Sequence, residues 1–170
     1  MLRSEKSAAG SRGGASFEGN EIIKMSSERV VFYLAVLIAA VVSILVSSIA
    51  AGPIALLVWL IFKHFLCDYL LQTGAMLRDK ANLGRIGGYL HGGLHAVGSG
   101  IVLVFFAPWW LALVIMGAEF VVHVLLDWGK AQWVQRLNIT EANPRFWHLF
   151  GLDQWLHALT YLVIAMVVFR

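Results

Sequence analysis

Residues 119–127, EFVVHVLLD, carry Glu119, His123 and Asp127 four residues apart in an otherwise apolar run. On a helix of about 3.6 residues per turn this spacing puts all three on one face. The pattern recurs three more times. His64 and Asp68 form HFLCD, with Gln72 one turn further on; His91 and His95 form HGGLH; Asp153 and His157 form DQWLH. Five of the six histidines fall in such pairs, and only His148, read as a loop residue, does not.

A pair at i and i+4 presents two ligands to one cation, as the H-E-x-x-H pattern does. Pairs from facing helices build carboxylate-bridged metal centres in bundle cores. Mixed imidazole and carboxylate ligands suit zinc, manganese or iron better than calcium or magnesium. The candidate ligands of a divalent metal are therefore His64, Asp68, His91, His95, His123, Asp127 and His157. Asp153 and Glu119 are the candidates for a general base or for a group that orients a ligand. Two other readings use the same residues. Buried His–Asp pairs can hold helices together as polar glue, or relay protons without a metal.

The elements that must position these residues follow from composition. Of 170 residues, 59% are hydrophobic and 14% charged, and the mean hydropathy is +0.75. A soluble domain carries about 25% charged residues. Five apolar blocks span 30–50, 53–71, 89–107, 109–127 and 152–169. Each is long enough for a hydrocarbon core of about 30 Å, and none alternates as a barrel strand does. The expected fold is all-α, a polytopic membrane bundle of five transmembrane helices over residues 30–170. Residues 1–29, rich in Ser, Gly and charge, read as a disordered polar tail rather than a secretory signal.

Orientation comes from the basic residues. The tail, the connection between spans 2 and 3, and the connection between spans 4 and 5 hold them; the other two connections hold none. This alternation puts the N-terminus in the cytoplasm and Arg170 outside. Every His/Asp pair then lies within about eight residues of the cytoplasmic face, roughly 12 Å along a helix. A charge at the centre of a bilayer costs about 2.5–3.5 kcal/mol, so nine such side chains at one depth must face one another. The outer halves of the spans offer only Ser43, Ser47, Ser48, Ser99 and Thr160 as polar side chains. That disfavours a conduction path.

The remaining features have simpler readings. The net charge of +3 is accounted for by topology, with no nucleic-acid partner implied. Cys67 reads as a small packed hydrophobe, Lys130 as a snorkelling interface residue, and the tryptophans as interfacial belts. Lys63 sits deeper, directed about 100° from His64. Gly88, Gly92, Ala96 and Gly100 form a ridge for close helix approach rather than a phosphate cradle. Segment 128–138 fits a short amphipathic surface helix, and Asn138-Ile139-Thr140 is a glycosylation sequon without meaning on the cytoplasmic side.

HFLCDYLLQT with the following Met and DK, then LHGGLH, EFVVHVLLDWGK and FGLDQWLH, resemble a family of small bacterial multi-pass membrane proteins, the domain of unknown function numbered 3307. The resemblance covers about residues 58–165. Its matching positions are His64, Asp68, Gln72, His91, His95, His123, Asp127, Lys130, Asp153, Gln154 and His157. It implies an inner-membrane protein but no reaction. A looser similarity links the clustered His and Asp to metal-dependent hydrolases of bacterial inner membranes.

Two functions follow as expectations. One is a metal-dependent hydrolase embedded in the inner membrane, acting on a lipid or lipid-linked substrate because its site lies at headgroup depth. The other is a non-enzymatic membrane protein with a structural or proton-conducting polar core. Convergence of the pairs within about 5 Å of a common point favours the first. Substrate, metal identity and oligomeric state are not legible in the sequence.

Overall fold

In the computed structural model the backbone is described for residues 15–49 and 52–170, and the side chains for residues 29–48 and 52–170. The described residues form helices and turns, with no strand among them. Helix α1 is Ala15–Ile49, α2 is Gly52–Phe65, α3 is Gly74–Asp79, α4 is Ile86–Leu103, α5 is Trp109–Arg136 and α6 is Pro144–Val168. One π-helical segment, Leu66–Leu71, continues α2. Residues 1–14 of the expected polar tail lie outside the described residues, and α1 begins at Ala15 within that stretch.

The chain divides into two compact units, Met1–Val41 and Val42–Arg170. The described part of the first is α1 up to Val41, whose Val30, Val31, Tyr33, Leu34, Leu37 and Ile38 are exposed apolar side chains. The second unit holds every other helix.

Four segments are long and apolar enough to cross a membrane: Arg29–Ser48, Gly52–Leu71, Trp109–Arg136 and Pro144–Val168. Of block 89–107, expected as a further span, residues 89–103 lie in the 18-residue α4, which is not among the four, and 104–107 form the turn that follows it. Two histidines and six glycines dilute its apolar content, as suits a helix whose role is contact.

Within the second unit α2 packs on α4 and α6, and α5 packs on the same two helices, so the four close into a ring. Helices α4 and α5 run antiparallel. A Cβ at Gly92 would meet Val124 Cγ2 at 2.6 Å, and one at Gly100 would meet Met116 Sδ at 2.5 Å, so the contacts climb one helix as they descend the other. Gly92, Ala96 and Gly100 are buried, as expected of a small-residue ridge, whereas Gly88 lies against the Lys80 backbone. An apolar core at one level joins Leu56, Leu60, Leu103, Ile115, Tyr161 and Ile164.

Local sequence sets the helix ends. Asn143 caps α6 by accepting from the Arg145 N–H at 3.0 Å, with Pro144 in the first turn. Asn138 adopts φ 49°, the one positive φ among the described non-glycine residues. Its N–H donates to Gln135 O at 3.1 Å and that of Ile139 to Val134 O at 3.0 Å, a Schellman closure of α5. Residues 128–136 therefore continue α5 instead of forming a separate surface helix. His148 lies on α6 rather than in a loop, and its side chain is exposed.

Candidate metal centre

The π-helical turn after Phe65 carries Cys67 and Asp68. It alters the expected regular spacing, yet His64 and Asp68 still meet, Nε2 to Oδ2 at 3.2 Å. His91 and His95 come from the buried face of α4, His123 and Asp127 from that of α5, and Asp153 and His157 from that of α6. His91 and His95 are fully buried, and His123, Asp127 and His157 nearly so.

The pairs interlock between helices. The His95 and His123 rings stack with centroids 3.8 Å apart, and His123 lies 4.3 Å from His157. Asp68 Oδ1 is 3.0 Å from His95 Nε2 and 3.2 Å from His91 Nε2. Asp127 Oδ2 is 3.4 Å from His91 Nε2 and 3.5 Å from His123 Nε2. Asp68, His91, His95 and His123 each offer one ligand atom within 4.8 Å of the others, and so do His123, Asp127 and His157. These groups could hold a metal ion.

Hydrogen bonds test the fit. His157 Nδ1 donates to the Asp153 carbonyl oxygen at 2.8 Å, which leaves Nε2 as the nitrogen with a free lone pair. That atom is buried and has no hydrogen-bond partner among the described residues. The same holds for both ring nitrogens of His91 and of His123, of which only the Nε2 atoms approach carboxylates, at 3.2–3.5 Å. Leaving such groups unsatisfied costs about 1–3 kcal/mol each. Three buried imidazoles with unpartnered nitrogens, each able to offer one lone pair, together with the carboxylates of Asp68 and Asp127, match the donor set of a transition-metal ion.

His64 is placed differently. Its Nε2 donates toward Asp68 Oδ2 and Gln154 Oε1, the latter at 3.3 Å, and its Nδ1 accepts from the Tyr161 hydroxyl at 2.8 Å. His64 belongs to neither group of converging ligand atoms, and it orients Asp68 from outside them. The candidate bases lie at the margin. Glu119 pairs with Lys63 through Oε1, while its Oε2 is buried without a partner. Asp153 Oδ2 accepts from Lys130 Nζ at 2.7 Å, and Oδ1 lies 3.8 Å from His157 Nδ1.

Three lysines complete the centre. Lys63 is buried and reaches the His95 carbonyl oxygen at 3.1 Å and the Tyr161 ring at 4.8 Å, besides Glu119. The expected offset from His64 thus directs it into the bundle. Lys80, which the charge count assigned to a loop, places Nζ 2.9 Å from Asp127 Oδ2. Lys130, expected to snorkel outward, is tied to Asp153. Tyr161 was not singled out, although it follows Asp153 and His157 at the same four-residue interval.

The sequence profile of the family described as protein of unknown function (DUF3307) matches residues 56–170. No curated protein and no solved structure matches the chain.

Proposed function

The chain belongs to that family, and because the family names no reaction we propose from the site itself a membrane-embedded, metal-dependent hydrolase of a lipid or lipid-linked ester. The observation that carries this reading is the convergence of Asp68, His91, His95, His123, Asp127 and His157, with ligand atoms within 4.8 Å in two groups that share His123.

The proposed topology has five spans, with α4 crossing beside α5, the N-terminus in the cytoplasm and the centre near the cytoplasmic face of the inner membrane. Charge points to a single ion. With carboxylates and ammonium groups ionised, Asp68, Glu119, Asp127 and Asp153 face Lys63, Lys80 and Lys130. One divalent ion reverses the single surplus negative charge, whereas two would leave a strongly positive buried site. The donor set favours zinc, manganese or iron.

A bound ion supplies Lewis acidity that polarises an acyl or phosphoryl oxygen and activates water. Asp153, at the margin of the centre and held by Lys130, is the proposed general base, and Glu119 with Lys63 positions His95. Hydrolysis then places the water oxygen on the acyl or phosphoryl centre, and a proton leaves with the departing alcohol.

A structural polar network is the second reading, favoured by the three lysine–carboxylate pairs, which satisfy part of the cluster without metal. Elemental analysis of detergent-purified protein separates the two. The expected result is about one equivalent of zinc, manganese or iron, lost in folded His123→Ala and Asp68→Ala variants. Metal-free protein after reconstitution with all three ions supports the network instead.

A further inference from the structure

Lys80 stands at the end of α3, in the connection to α4, yet its side chain is buried. Lysine is almost never fully buried unless it is paired. Three contacts hold the backbone around it. Gln132 Nε2 of α5 donates to the Ala81 carbonyl oxygen at 2.6 Å, Asp79 Oδ2 accepts from the Gly87 N–H at 3.2 Å, and a Cβ at Gly88 would stand 3.5 Å from the Lys80 Cα. The connection is thus pinned to both α4 and α5, and from it Lys80 Nζ reaches Asp127 Oδ2 at 2.9 Å. That oxygen is the one that faces the imidazoles, 3.4 Å from His91 Nε2 and 3.5 Å from His123 Nε2.

The two groups of ligand atoms are unequal. The first, Asp68, His91, His95 and His123, has four members, enough for a tetrahedral ion. The second, His123, Asp127 and His157, has three and shares one of them. A neutral imidazole offers one lone pair, so His123 serves one ion. Given to the first group, it leaves only Asp127 and His157 to the second. His157 Nε2 is nonetheless buried without a partner, and the bond from Nδ1 to the Asp153 carbonyl oxygen keeps its lone pair free. A second cation position therefore persists in part, and the cation seated on its carboxylate is the Lys80 ammonium.

From this juxtaposition we infer that Lys80 takes the place of a second metal ion: it neutralises Asp127 and confines the centre to one ion, held by Asp68, His91, His95 and His123. The inference deepens the metal-centre reading and rests on it for the first ion. Asp127 and His157 then flank that ion rather than bind it. On the hydrolase reading the reaction has one Lewis acid, with an ammonium where a two-ion centre has its second metal. Replacing Lys80 by glutamate should undo this arrangement. Glutamate is one atom shorter, so its carboxylate oxygen ends near the place of the lysine Cε. An ion at the place of Nζ then lies between that oxygen and Asp127, and two metal–oxygen bonds of about 2.0–2.2 Å span the gap. Exchanging an ammonium for a carboxylate also removes two positive charges, which is what a second divalent ion adds.

The test counts zinc ions on the full chain in detergent by native mass spectrometry, with zinc alone as the ligand and thermal unfolding on the same samples. Wild type is expected to bind one ion. Lys80→Glu is expected to bind two, the second about a hundredfold or more tighter than any second ion on wild type. Without zinc, Lys80→Glu should unfold at a lower temperature than wild type, because Asp127 then faces a carboxylate. Zinc should raise its midpoint by more than it raises that of wild type. In the K80E background, Asp127→Asn and His157→Ala should each remove the second ion and keep the first. Lys80→Gln, which removes the ammonium without adding a charge, carries the test if Lys80→Glu does not fold. It should take a second ion at zinc concentrations where wild type holds one. A single ion on the folded Lys80 variants, beside one on wild type, overturns this inference and leaves the metal centre standing. Two ions on wild type, or a second ion that survives Asp127→Asn, also overturns it. Zinc bound by Lys80→Glu but not by wild type upholds the exclusion by Lys80 and defeats the native metal centre, and zinc on neither defeats both.

Discussion

His64 and Lys63 are neighbours in sequence that act on different partners. His64 orients Asp68 and is itself held by the Tyr161 hydroxyl at 2.8 Å. Lys63 neutralises Glu119 from across the bundle. Removing one member of a buried ion pair costs about 3–5 kcal/mol, because the other charge is stranded. Lys63→Met and Glu119→Gln should each lower stability by about that amount. The double variant should lose much less than the sum of the two. Thermal unfolding in detergent checks this, and additive losses would mean that the two side chains do not act as a pair. Tyr161→Phe should be milder, about 1–2 kcal/mol, since it removes one hydrogen bond and keeps the packed ring. The pairing at i and i+4 made the histidines and acids legible in sequence, because spacing alone fixes which residues share a helical face. It did not reveal Lys80, whose partner Asp127 lies on a distant helix, so its role depends on chain topology rather than local period.

At the scale of elements, α4 decides how closely the ligands from α4 and α5 can approach. A Cβ at Gly92 would lie 2.6 Å from Val124 Cγ2 and 3.6 Å from the Phe120 carbonyl oxygen, whereas one at Gly93 would meet nothing within 4 Å. Gly92 lies next to His91, and Val124 next to His123. Gly92→Ala should therefore push α4 and α5 apart and weaken metal binding by about tenfold or more while the helices persist. Gly93→Ala should leave binding unchanged. Metal titration with circular dichroism on both variants checks the pair, and equal behaviour would show that close approach at Gly92 is dispensable. The small-residue ridge was readable from its four-residue period. The continuation of α5 to Arg136 was not read, although Asn138, a residue type that tolerates the left-handed conformation it adopts here, is the signal that marks the stop. Nor was the π-helical turn carrying Asp68, since no glycine or proline marks it.

The whole molecule turns on whether α4 crosses the membrane. Four segments qualify by length and apolarity, and α4 falls short because the residues that build the centre replace apolar ones. Its 18 residues nonetheless extend about 27 Å, close to the thickness of a hydrocarbon core. It lies antiparallel to α5 through contacts that pair Gly92 with Val124 and Gly100 with Met116. Five residues, 104–108, separate the two helices, and none is charged. On the proposed five-span topology α4 crosses beside α5, its histidines shielded by neighbours rather than by water. With five crossings the two termini lie on opposite sides, and with four they lie on the same side. On the proposed orientation, with the N-terminus inside, a reporter fused after Arg170 should be external: alkaline phosphatase active and green fluorescent protein dark. The same reporters fused after Ala107, between α4 and α5, should also read as external. Fluorescent fusions at both positions would mean that α4 does not cross, and the shared depth assigned to the four His/Asp pairs would be lost with it.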